Sequence, residues 1–367
     1  NWINDVIQSG VTVLDSDSGK ILAVGAGRNK TGVNTFNYAT DMVRQPGSAI
    51  KPIADIAPGL EEKVITPATV YDDVWTDFNG YKPRDEYGKE TNRTMNIKEF
   101  IALSKNIPAV KIMRELTPNT SIDYLRKMGV SSLVKEGEDP EKDKQGLNDS
   151  VLSLAIGGIT DGISPLEMAA AYATIANDGV YIEPTFYTKV TDSSGNVVLT
   201  PNQKTERVIS EQNAYLTRVI TEQPVTASNG TATYCAIKGM ETCAKTGTTD
   251  DNCDRWLAGM TPYYAAACWF GYDNNEEVRW SGTNPAGLIW SRIMQDIHTN
   301  LPNANFNKPT GLVEKTICRT TGCIATSSCT NTYTETFTPD NLPETCEGHG
   351  VQKICTESGK LATQYCP

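Results

Sequence analysis

The segment Arg44-Gln-Pro-Gly-Ser-Ala-Ile-Lys51 joins a turn to a predicted helix and carries a serine three residues before a lysine. Its Pro-Gly pair is a turn signal, and Ser48 would open a helix over residues 49–57 that the next Pro-Gly pair ends. Residues three apart on a helix share a face, one turn from each other. The spacing therefore predicts that the Lys51 amine can reach the Ser48 hydroxyl.

A serine hydroxyl needs a base before it can act as a nucleophile, and the usual base is histidine. This chain has two histidines, His298 and His349, and both lie far downstream of every candidate serine. A lysine can replace histidine when burial beside a second cation lowers its pKa. We therefore expect Lys51 to be the base and Lys245 to be the second cation.

A second motif, Ser104-Lys105-Asn106, interrupts an apolar stretch that predicts two helices between residues 96 and 115. The break is expected because the residue before Pro108 avoids helical geometry. Polar side chains at such a break can point into a cleft. Ser104 is predicted to pass a proton between Lys51 and a leaving group, and Asn106 to hold a substrate amide.

The third motif is Lys245-Thr246-Gly247, followed by Thr248. The surrounding pattern predicts antiparallel strands over residues 240–248, 256–260 and 263–272. Thr246 and Thr248 would share one face of the first strand, and Gly247 would let a ligand backbone lie close along its edge. This arrangement suits an extended peptide that adds as a strand and presents its carboxylate to Lys245 and the two threonines.

Each motif also has an ordinary structural interpretation when it stands alone, as a helix cap or as an edge strand with a charged residue. Further copies occur at Ser132 to Lys135, Ser194 to Asn196 and Lys30 to Gly32. Their surroundings indicate a solvated loop, a hairpin tip and a turn. Only the combination of the three selected motifs, in this order, predicts a catalytic site.

The motifs and their flanks together resemble the transpeptidase domain of class A penicillin-binding proteins, within the serine penicillin-recognising superfamily. The resemblance covers about residues 10–300 and includes more than the motifs. The matching flanks are 11–15, 19–24, 36–40, 44–48, 102–109, 163–173, 176–179, 230–232, 245–249 and 254–256.

The resemblance implies an α+β fold of the penicillin-binding and serine beta-lactamase-like type. We expect an antiparallel sheet, built from the opening hairpin and the strands after Gly239, with helices on both faces. A helical lobe over about residues 60–180 would carry Ser104. Residues 1–300 would form the transpeptidase domain, and residues 301–367 a cysteine-rich tail or small module.

The resemblance also implies acyl transfer on the D-alanyl-D-alanine end of peptidoglycan stem peptides, without a cofactor. Ser48 would attack the penultimate D-alanine carbonyl, Lys51 would accept its proton, and Ser104 would protonate the departing D-alanine. The backbone N–H groups of Ser48 and Thr248 would form the oxyanion hole. The carboxylate would be held by Lys245, Thr246 and Thr248. A stem-peptide amine then takes the acyl group, whereas a beta-lactam would acylate Ser48 and stay.

Three alternatives share parts of this chemistry. A serine beta-lactamase of class A needs a positioned glutamate after the second motif, and Glu136, Glu138 and Glu141 lie there without the surrounding pattern. A D,D-carboxypeptidase differs only in using water as the acceptor. A non-catalytic sensor of beta-lactams or cell wall would bind without turnover.

The net charge of −11 provides no basic footprint, which argues against nucleic-acid binding. No apolar run approaches the roughly 20 residues that span a bilayer, no signal peptide is evident, and the chain starts like a mature protein. Class A relatives carry a membrane anchor and a glycosyltransferase domain upstream. We therefore expect this chain on the extracytoplasmic face of a bacterial membrane, attached only through such an upstream anchor.

Ten cysteines depart from the usual pattern of the family. Four lie around the third motif, and six lie in the polar tail: Cys235, Cys243, Cys253, Cys268, then Cys318, Cys323, Cys329, Cys346, Cys355 and Cys366. In an exported protein disulfides are the expected outcome, and one from Cys243 would brace the strand of Lys245. The alternative is a zinc site formed by Cys346, His349, Cys355 and Cys366.

Overall fold

The computed structural model describes residues 3–32, 35–85 and 90–348. The strands are β1 (Gln8–Asp15), β2 (Ile21–Gly25), β3 (Val70–Asp72), β4 (Thr94–Asn96), β5 (Val180–Ile182), β6 (Val190–Thr191), β7 (Val197–Leu199), β8 (Thr205–Arg207), β9 (Cys243–Thr248), β10 (Asp254–Met260), β11 (Tyr264–Gly271), β12 (Val313–Cys318) and β13 (Thr332–Phe337). The α-helices are α1 (Ala57–Glu61), α2 (Ile97–Leu103), α3 (Ile107–Leu116), α4 (Pro118–Lys127), α5 (Pro140–Lys144), α6 (Pro165–Ala176), α7 (Glu211–Thr221), α8 (Gln223–Thr226) and α9 (Pro285–His298).

Five antiparallel strands form the central sheet in the order β2-β1-β11-β10-β9. Strands β1 and β11 are buried along nearly their whole length, because helix α6 packs on one face of the sheet and helix α9 on the other. Side chains alternate between these faces, so that Trp256 joins the core beneath α6 and Leu257 the core beneath α9. The predicted antiparallel sheet with helices on both faces is confirmed.

The segment with Ser48 is helical but irregular. It runs from a 3-10 helix at Gly47–Ile50 into a π-helix at Pro52–Ile56 and then into α1. The prediction that the helix ends at Pro58-Gly59 is wrong, since α1 continues to Glu61. Pro58 stands in the first turn of α1, at the junction with the π-helix, where its missing N–H breaks no regular helical bond.

Two neighbours hold this irregular helix in place. The Tyr172 hydroxyl of α6 donates to the carbonyl of Ala49 at 2.7 Å. The Ser121 hydroxyl of α4 donates to the carbonyl of Ala54 at 2.8 Å. Both contacts satisfy carbonyls of a segment whose hydrogen bonding is irregular, so α6 and α4 fix the backbone on either side of Lys51.

After α9 the described chain forms the β12–β13 hairpin, whose small apolar core consists of Ala68, Ile317 and Phe337. The predicted division at residue 300 stays a prediction. Within the described ranges, no helix combines the length and the apolar character that crossing a membrane requires.

The expected disulfides are not supported. No two of the eight cysteines in the described residues lie at bonding distance. Cys243 is buried, and its thiol donates to the carbonyl of Arg218 at 3.3 Å, so the predicted brace for the neighbouring strand is wrong. Packing and hydrogen bonds hold that strand instead.

Candidate active site

Three glycines allow the nucleophile segment to lie against the backbone of its neighbours. Gly47 has a φ of +54°, and a Cβ there would lie 2.4 Å from the carbonyl oxygen of Thr248. A Cβ on Gly247 would lie 2.1 Å from the carbonyl oxygen of Pro46, and one on Gly157 2.4 Å from that of Gly47. These backbone contacts bring Ser48 next to the end of β9.

Lys51 is fully buried beneath the second motif. Its Nζ atom donates to the carbonyls of Ser104 at 2.9 Å and Lys105 at 2.7 Å, and to Oδ1 of Asn106 at 2.7 Å. Burial lowers the pKa of Lys51 to about 7, opposed by the carboxylate of Asp55. The positive charge that lowers this pKa together with burial belongs to Lys105 and not, as predicted, to Lys245.

Ser104 connects the two lysines of the site. It ends α2 in the left-handed conformation, with φ 60° and ψ 33°, which is uncommon for a residue with a side chain. Its carbonyl accepts from Lys51, and its hydroxyl accepts from Nζ of Lys245 at 2.7 Å. Lys245 is itself fully buried and also donates to the Thr246 carbonyl at 3.1 Å.

The carboxamide of Asn106 is held at both ends. Its oxygen accepts from Lys51, and its Nδ2 donates to the carbonyl of Arg84 at 2.7 Å. The backbone N–H of Asn106 donates to Asp85 at 2.6 Å, and Lys105 binds the same carboxylate at 2.9 Å. Asn106 therefore orients the buried amine, a positioning role that the sequence pattern did not predict.

The motifs line a cleft of about 810 Å³. Ser48, Ser104, Asn106, Thr246 and Thr248 all lie on its wall. Lys51 and Lys245 lie behind this wall, since both are fully buried. Strand β9 is at the edge of the sheet, as predicted, with its Thr246 and Thr248 side chains towards the cleft.

Two further residues touch the threonines of β9 and were given no role by the sequence analysis. The Thr246 hydroxyl donates to that of Thr231 at 3.2 Å, and Arg255 donates to the Thr248 hydroxyl at 3.2 Å. Both lie in flanks that the resemblance had already singled out, at residues 230–232 and 254–256. The match of these flanks to the family was the signal from which the sequence could have identified Thr231 and Arg255.

The residues set aside in the sequence have structural contacts elsewhere. Ser132 donates to the carbonyl of Gly162, Ser194 belongs to the turn between β6 and β7, and Lys30 lies 4.3 Å from the ring centroid of Tyr38. His298 hydrogen-bonds the Thr261 hydroxyl at 2.9 Å. None of these four lines the cleft in the described part of the chain.

The predicted zinc set is only partly within the described residues. Cys346 lies close to Cys318 and Cys329, neither of which belonged to that set. The other three members, His349, Cys355 and Cys366, lie outside the described residues.

A family model described as "Penicillin binding protein transpeptidase domain" matches residues 9–295. The chain belongs to the penicillin-binding protein transpeptidase family. The matched residues of this penicillin-binding transpeptidase domain include all three sequence motifs, at 48–51, 104–106 and 245–247. A second model, "Penicillin-binding protein 1A, C-terminal domain", matches residues 308–350.

Curated relatives agree with this assignment. Penicillin-binding protein 1A of Clostridium botulinum is 31% identical over an alignment of 382 residues, which covers 98% of this chain and 44% of the relative. Penicillin-binding protein 1A/1B of Bacillus subtilis is 33% identical over 331 residues, covering 85% of this chain and 34% of the relative. The chain thus spans less than half the length of these relatives.

Solved structures share the fold. Penicillin-binding protein 1A from Haemophilus influenzae aligns with a TM-score of 0.77 and 24% identity, over 93% of this chain and 55% of that chain. The PonA1 protein from Mycobacterium tuberculosis, solved in complex with penicillin V, aligns with a TM-score of 0.71 and 25% identity. That alignment covers 84% of this chain and 82% of the PonA1 chain.

Proposed function

We propose that this domain is a serine D,D-transpeptidase that cross-links peptidoglycan stem peptides through an acyl-enzyme on Ser48. The observation that carries the proposal is the continuous set of contacts from Lys245 through Ser104 to Lys51. Lys51 and Lys245 are buried behind the cleft, and the Ser104 hydroxyl between them lines the cleft together with Ser48. Beta-lactams, which imitate the D-alanyl-D-alanine end, would be captured by the same serine.

In the first step the Ser48 oxygen attacks the penultimate D-alanine carbonyl, and its proton passes to the neutral amine of Lys51. A pKa of about 7 makes that neutral form abundant at physiological pH. Three oxygens around Lys51 accept hydrogen bonds from its Nζ atom. The neutral amine has only two hydrogens, so it donates to two of these oxygens and has a lone pair that can accept the serine proton. The N–H groups of Ser48 and Thr248 would stabilise the oxyanion.

In the second step the C–N bond breaks and D-alanine leaves as an amine. Because Lys245 donates to the oxygen of Ser104, the hydrogen of that hydroxyl can point into the cleft and towards the leaving nitrogen. Lys245, Thr246 and Thr248 would hold the terminal carboxylate during this step. The Lys51 ammonium would then return its proton to Ser104. A stem-peptide amine attacks the ester carbonyl and gives up a proton to Lys51, which passes it to the Ser48 oxygen as the ester C–O bond breaks and the cross-link forms.

The surroundings of the cleft favour slow release of a captured beta-lactam. Glu138 pairs with Arg126 of α4, Glu141 pairs with Lys144 within α5, and neither acid lines the cleft. The acidic residues that line the cleft, within the described residues, are Asp85, Asp250 and Asp251. A glutamate placed to activate water is therefore not part of the described cleft wall, and we expect a lasting acyl-enzyme.

The relatives named penicillin-binding protein 1A support a location on the extracytoplasmic face of a bacterial membrane, with attachment through an anchor upstream of this chain. Peptidoglycan stem peptides would be the partners of the cleft. No cofactor takes part in the proposed steps.

The proposal is tested by intact-protein mass after incubation with a labelled penicillin, followed by peptide mapping. One adduct on Ser48 is expected, Ser48→Ala should abolish it, and Ser132→Ala should keep it because Ser132 stands in the other Ser-x-x-Lys copy. Capture by Ser48→Ala would overturn the proposal. Rapid loss of the adduct would identify a beta-lactamase instead.

The acceptor is tested with a stem pentapeptide and an amine-bearing second peptide. A cross-linked product is expected with the unmodified domain and not with Ser48→Ala. Release of D-alanine without cross-linking would identify a D,D-carboxypeptidase. A lasting penicillin adduct without any turnover of peptide would identify a sensor.

A further inference from the structure

Residues 308–348, which contain the β12–β13 hairpin, form the C-terminal hairpin module. Three cysteine thiols meet in this module, away from the catalytic cleft. The sulfur atoms of Cys318, Cys329 and Cys346 all lie within 4.8 Å of one another. Cys318 ends β12, and Cys329 precedes β13 by three residues. Cys346 is brought alongside by backbone bonds, since its N–H donates to the carbonyl of Ile324 at 2.8 Å.

The spacing of the three sulfurs fits a metal better than a disulfide. In a tetrahedral zinc site with Zn–S bonds of about 2.3 Å, neighbouring sulfurs are roughly 3.8 Å apart. A disulfide needs about 2.05 Å between two sulfurs and leaves a third thiol over. No pair of described cysteines is at that distance, and here the third thiol is as much part of the cluster as the other two.

Hydrogen-bond donors point at two of the sulfurs. The backbone N–H of Thr326 donates to the sulfur of Cys329 at 3.3 Å, and the Thr321 hydroxyl donates to that of Cys346 at 3.5 Å. Donors of this kind stabilise the negative charge of a metal-bound thiolate and fix its direction. The module therefore supplies outer contacts as well as ligands.

The module also needs a source of stability other than its core. Its cluster of buried apolar residues contains Ala68, Ile317 and Phe337, and Ala68 comes from the transpeptidase part of the chain. Modules with so little apolar burial are usually held by disulfides or by a metal. A structural metal is a device of this kind that would use all three clustered thiols at once.

The sequence repeats the first two ligands. Ile317-Cys-Arg-Thr-Thr-Gly-Cys-Ile-Ala-Thr-Ser-Ser-Cys329 aligns without a gap with Ile354-Cys-Thr-Glu-Ser-Gly-Lys-Leu-Ala-Thr-Gln-Tyr-Cys366. The two copies share the Ile-Cys start, the glycine, the Ala-Thr pair and the final cysteine. Cys323 has a lysine as its counterpart, so the repeat keeps the spacing of Cys318 and Cys329 and not that of Cys323.

We propose that Cys318, Cys329 and Cys346 bind one structural Zn²⁺ ion as thiolates. Each thiol that binds loses its proton, so three S–Zn bonds form and three protons are released without any change of oxidation state. A tetrahedral site takes a fourth ligand in addition to these three thiolates. The site is independent of the chemistry proposed for Ser48.

The test uses the full chain, purified with reductant and zinc and then freed of unbound metal. Elemental analysis should find about one zinc per chain in the unmodified protein and far less in Cys329→Ser. The matched control is Cys323→Ser, which should keep the metal. Cys323 lies in the same module, but its thiol donates to the carbonyl of Thr321 at 3.7 Å and is not part of the cluster.

Cobalt provides a second measurement that needs no variant. Replacing zinc with Co²⁺ in the unmodified protein should give intense sulfur-to-cobalt charge-transfer absorption, which free cobalt and oxygen ligands do not give. Equal zinc in Cys329→Ser and Cys323→Ser would overturn the proposal, as would cobalt spectra without thiolate bands. Mapping of a disulfide between any two of the three cysteines would overturn it as well.

Penicillin capture is measured on every sample in parallel. Loss of capture by Ser48 with the metal retained would contradict the proposed function and leave the zinc site standing. Intact capture with no bound metal would do the reverse. The two proposals therefore fail in distinguishable ways.

Discussion

The rate at which a penicillin acylates Ser48 should depend on pH through a single group, the buried amine of Lys51. Burial lowers its pKa from 10.5 to about 7. At pH 7 about half of the amines are then neutral, compared with roughly 3 in 10,000 for an ordinary lysine. If the neutral amine is the base, burial increases the reactive fraction about a thousandfold at this pH.

The assay is stopped-flow acylation by a fluorescent penicillin between pH 5 and 9. The second-order rate constant should rise about tenfold per pH unit below the midpoint and level off above about 7, because only the deprotonated amine can accept the serine proton. Lys51→Arg should lose at least about a thousandfold in rate, since a guanidinium stays protonated. Lys111→Arg, at a largely buried lysine bound to Asp72, should keep the profile.

A flat profile between pH 5 and 8 would refute this reasoning, because no group would then titrate in the reaction. A rate constant that rises only above pH 9 would refute it too, since Lys51 would then behave as an ordinary lysine. Substantial acylation by Lys51→Arg would show that another group removes the proton.

Three other substitutions test separate features of the site. Gly47→Ala should lose about a hundredfold or more in acylation, because its Cβ would push the Thr248 carbonyl away, whereas Gly195→Ala, with positive φ but open space, should lose none. Burial raises the pKa of Asp55 well above 3.8, so the folded state keeps this proton longer than the unfolded chain, and stability is lost as pH rises. Asp55→Asn should therefore raise the free energy of unfolding by about 1–3 kcal/mol at pH 8, and by less at pH 5, in urea titrations. Ser104→Ala should slow acylation about a hundredfold with little change in melting temperature, and an unchanged rate would remove it from the proton path.

The sequence predicted the parts of the site that depend on local pattern. The break between α2 and α3 falls within the predicted stretch, at residues 104–106, although Ile107 before Pro108 is already helical and Pro108 stands in the first turn of α3. The alternation of Thr246 and Thr248 follows from the period of a strand. Family resemblance supplied the order of the elements and so the sheet. These signals are contained within a few residues, which is why they could be found in one chain.

Contacts between distant segments could not be predicted in the same way. The charge beside Lys51 comes from Lys105, which is itself held by Asp85 from a loop some twenty residues earlier. The π-helix around Asp55 packs against α3 and α4, and Ser121 of α4 donates to its Ala54 carbonyl. Nothing in the local pattern distinguishes a buried carboxyl in a wide helix from an exposed one in a regular helix.

The error about the cysteines has a different cause. Disulfides were inferred from the expected oxidising compartment, which is an argument about surroundings and not about geometry. The positions of Cys318, Cys329 and Cys346 depend on how the β12–β13 hairpin folds back on itself, and this determines which thiols meet.

The backbone contacts of Gly47, Gly157 and Gly247 limit how this domain can evolve resistance to antibiotics. Any larger residue at these positions collides with a neighbouring peptide group, so a mutation that spoils the drug site there should also spoil the proposed transpeptidation. Changes that distinguish the drug from the natural peptide have to come from the cleft rim, at side chains such as Tyr81 and Arg84. Selection by beta-lactams should therefore enrich substitutions at the rim while the glycines stay invariant.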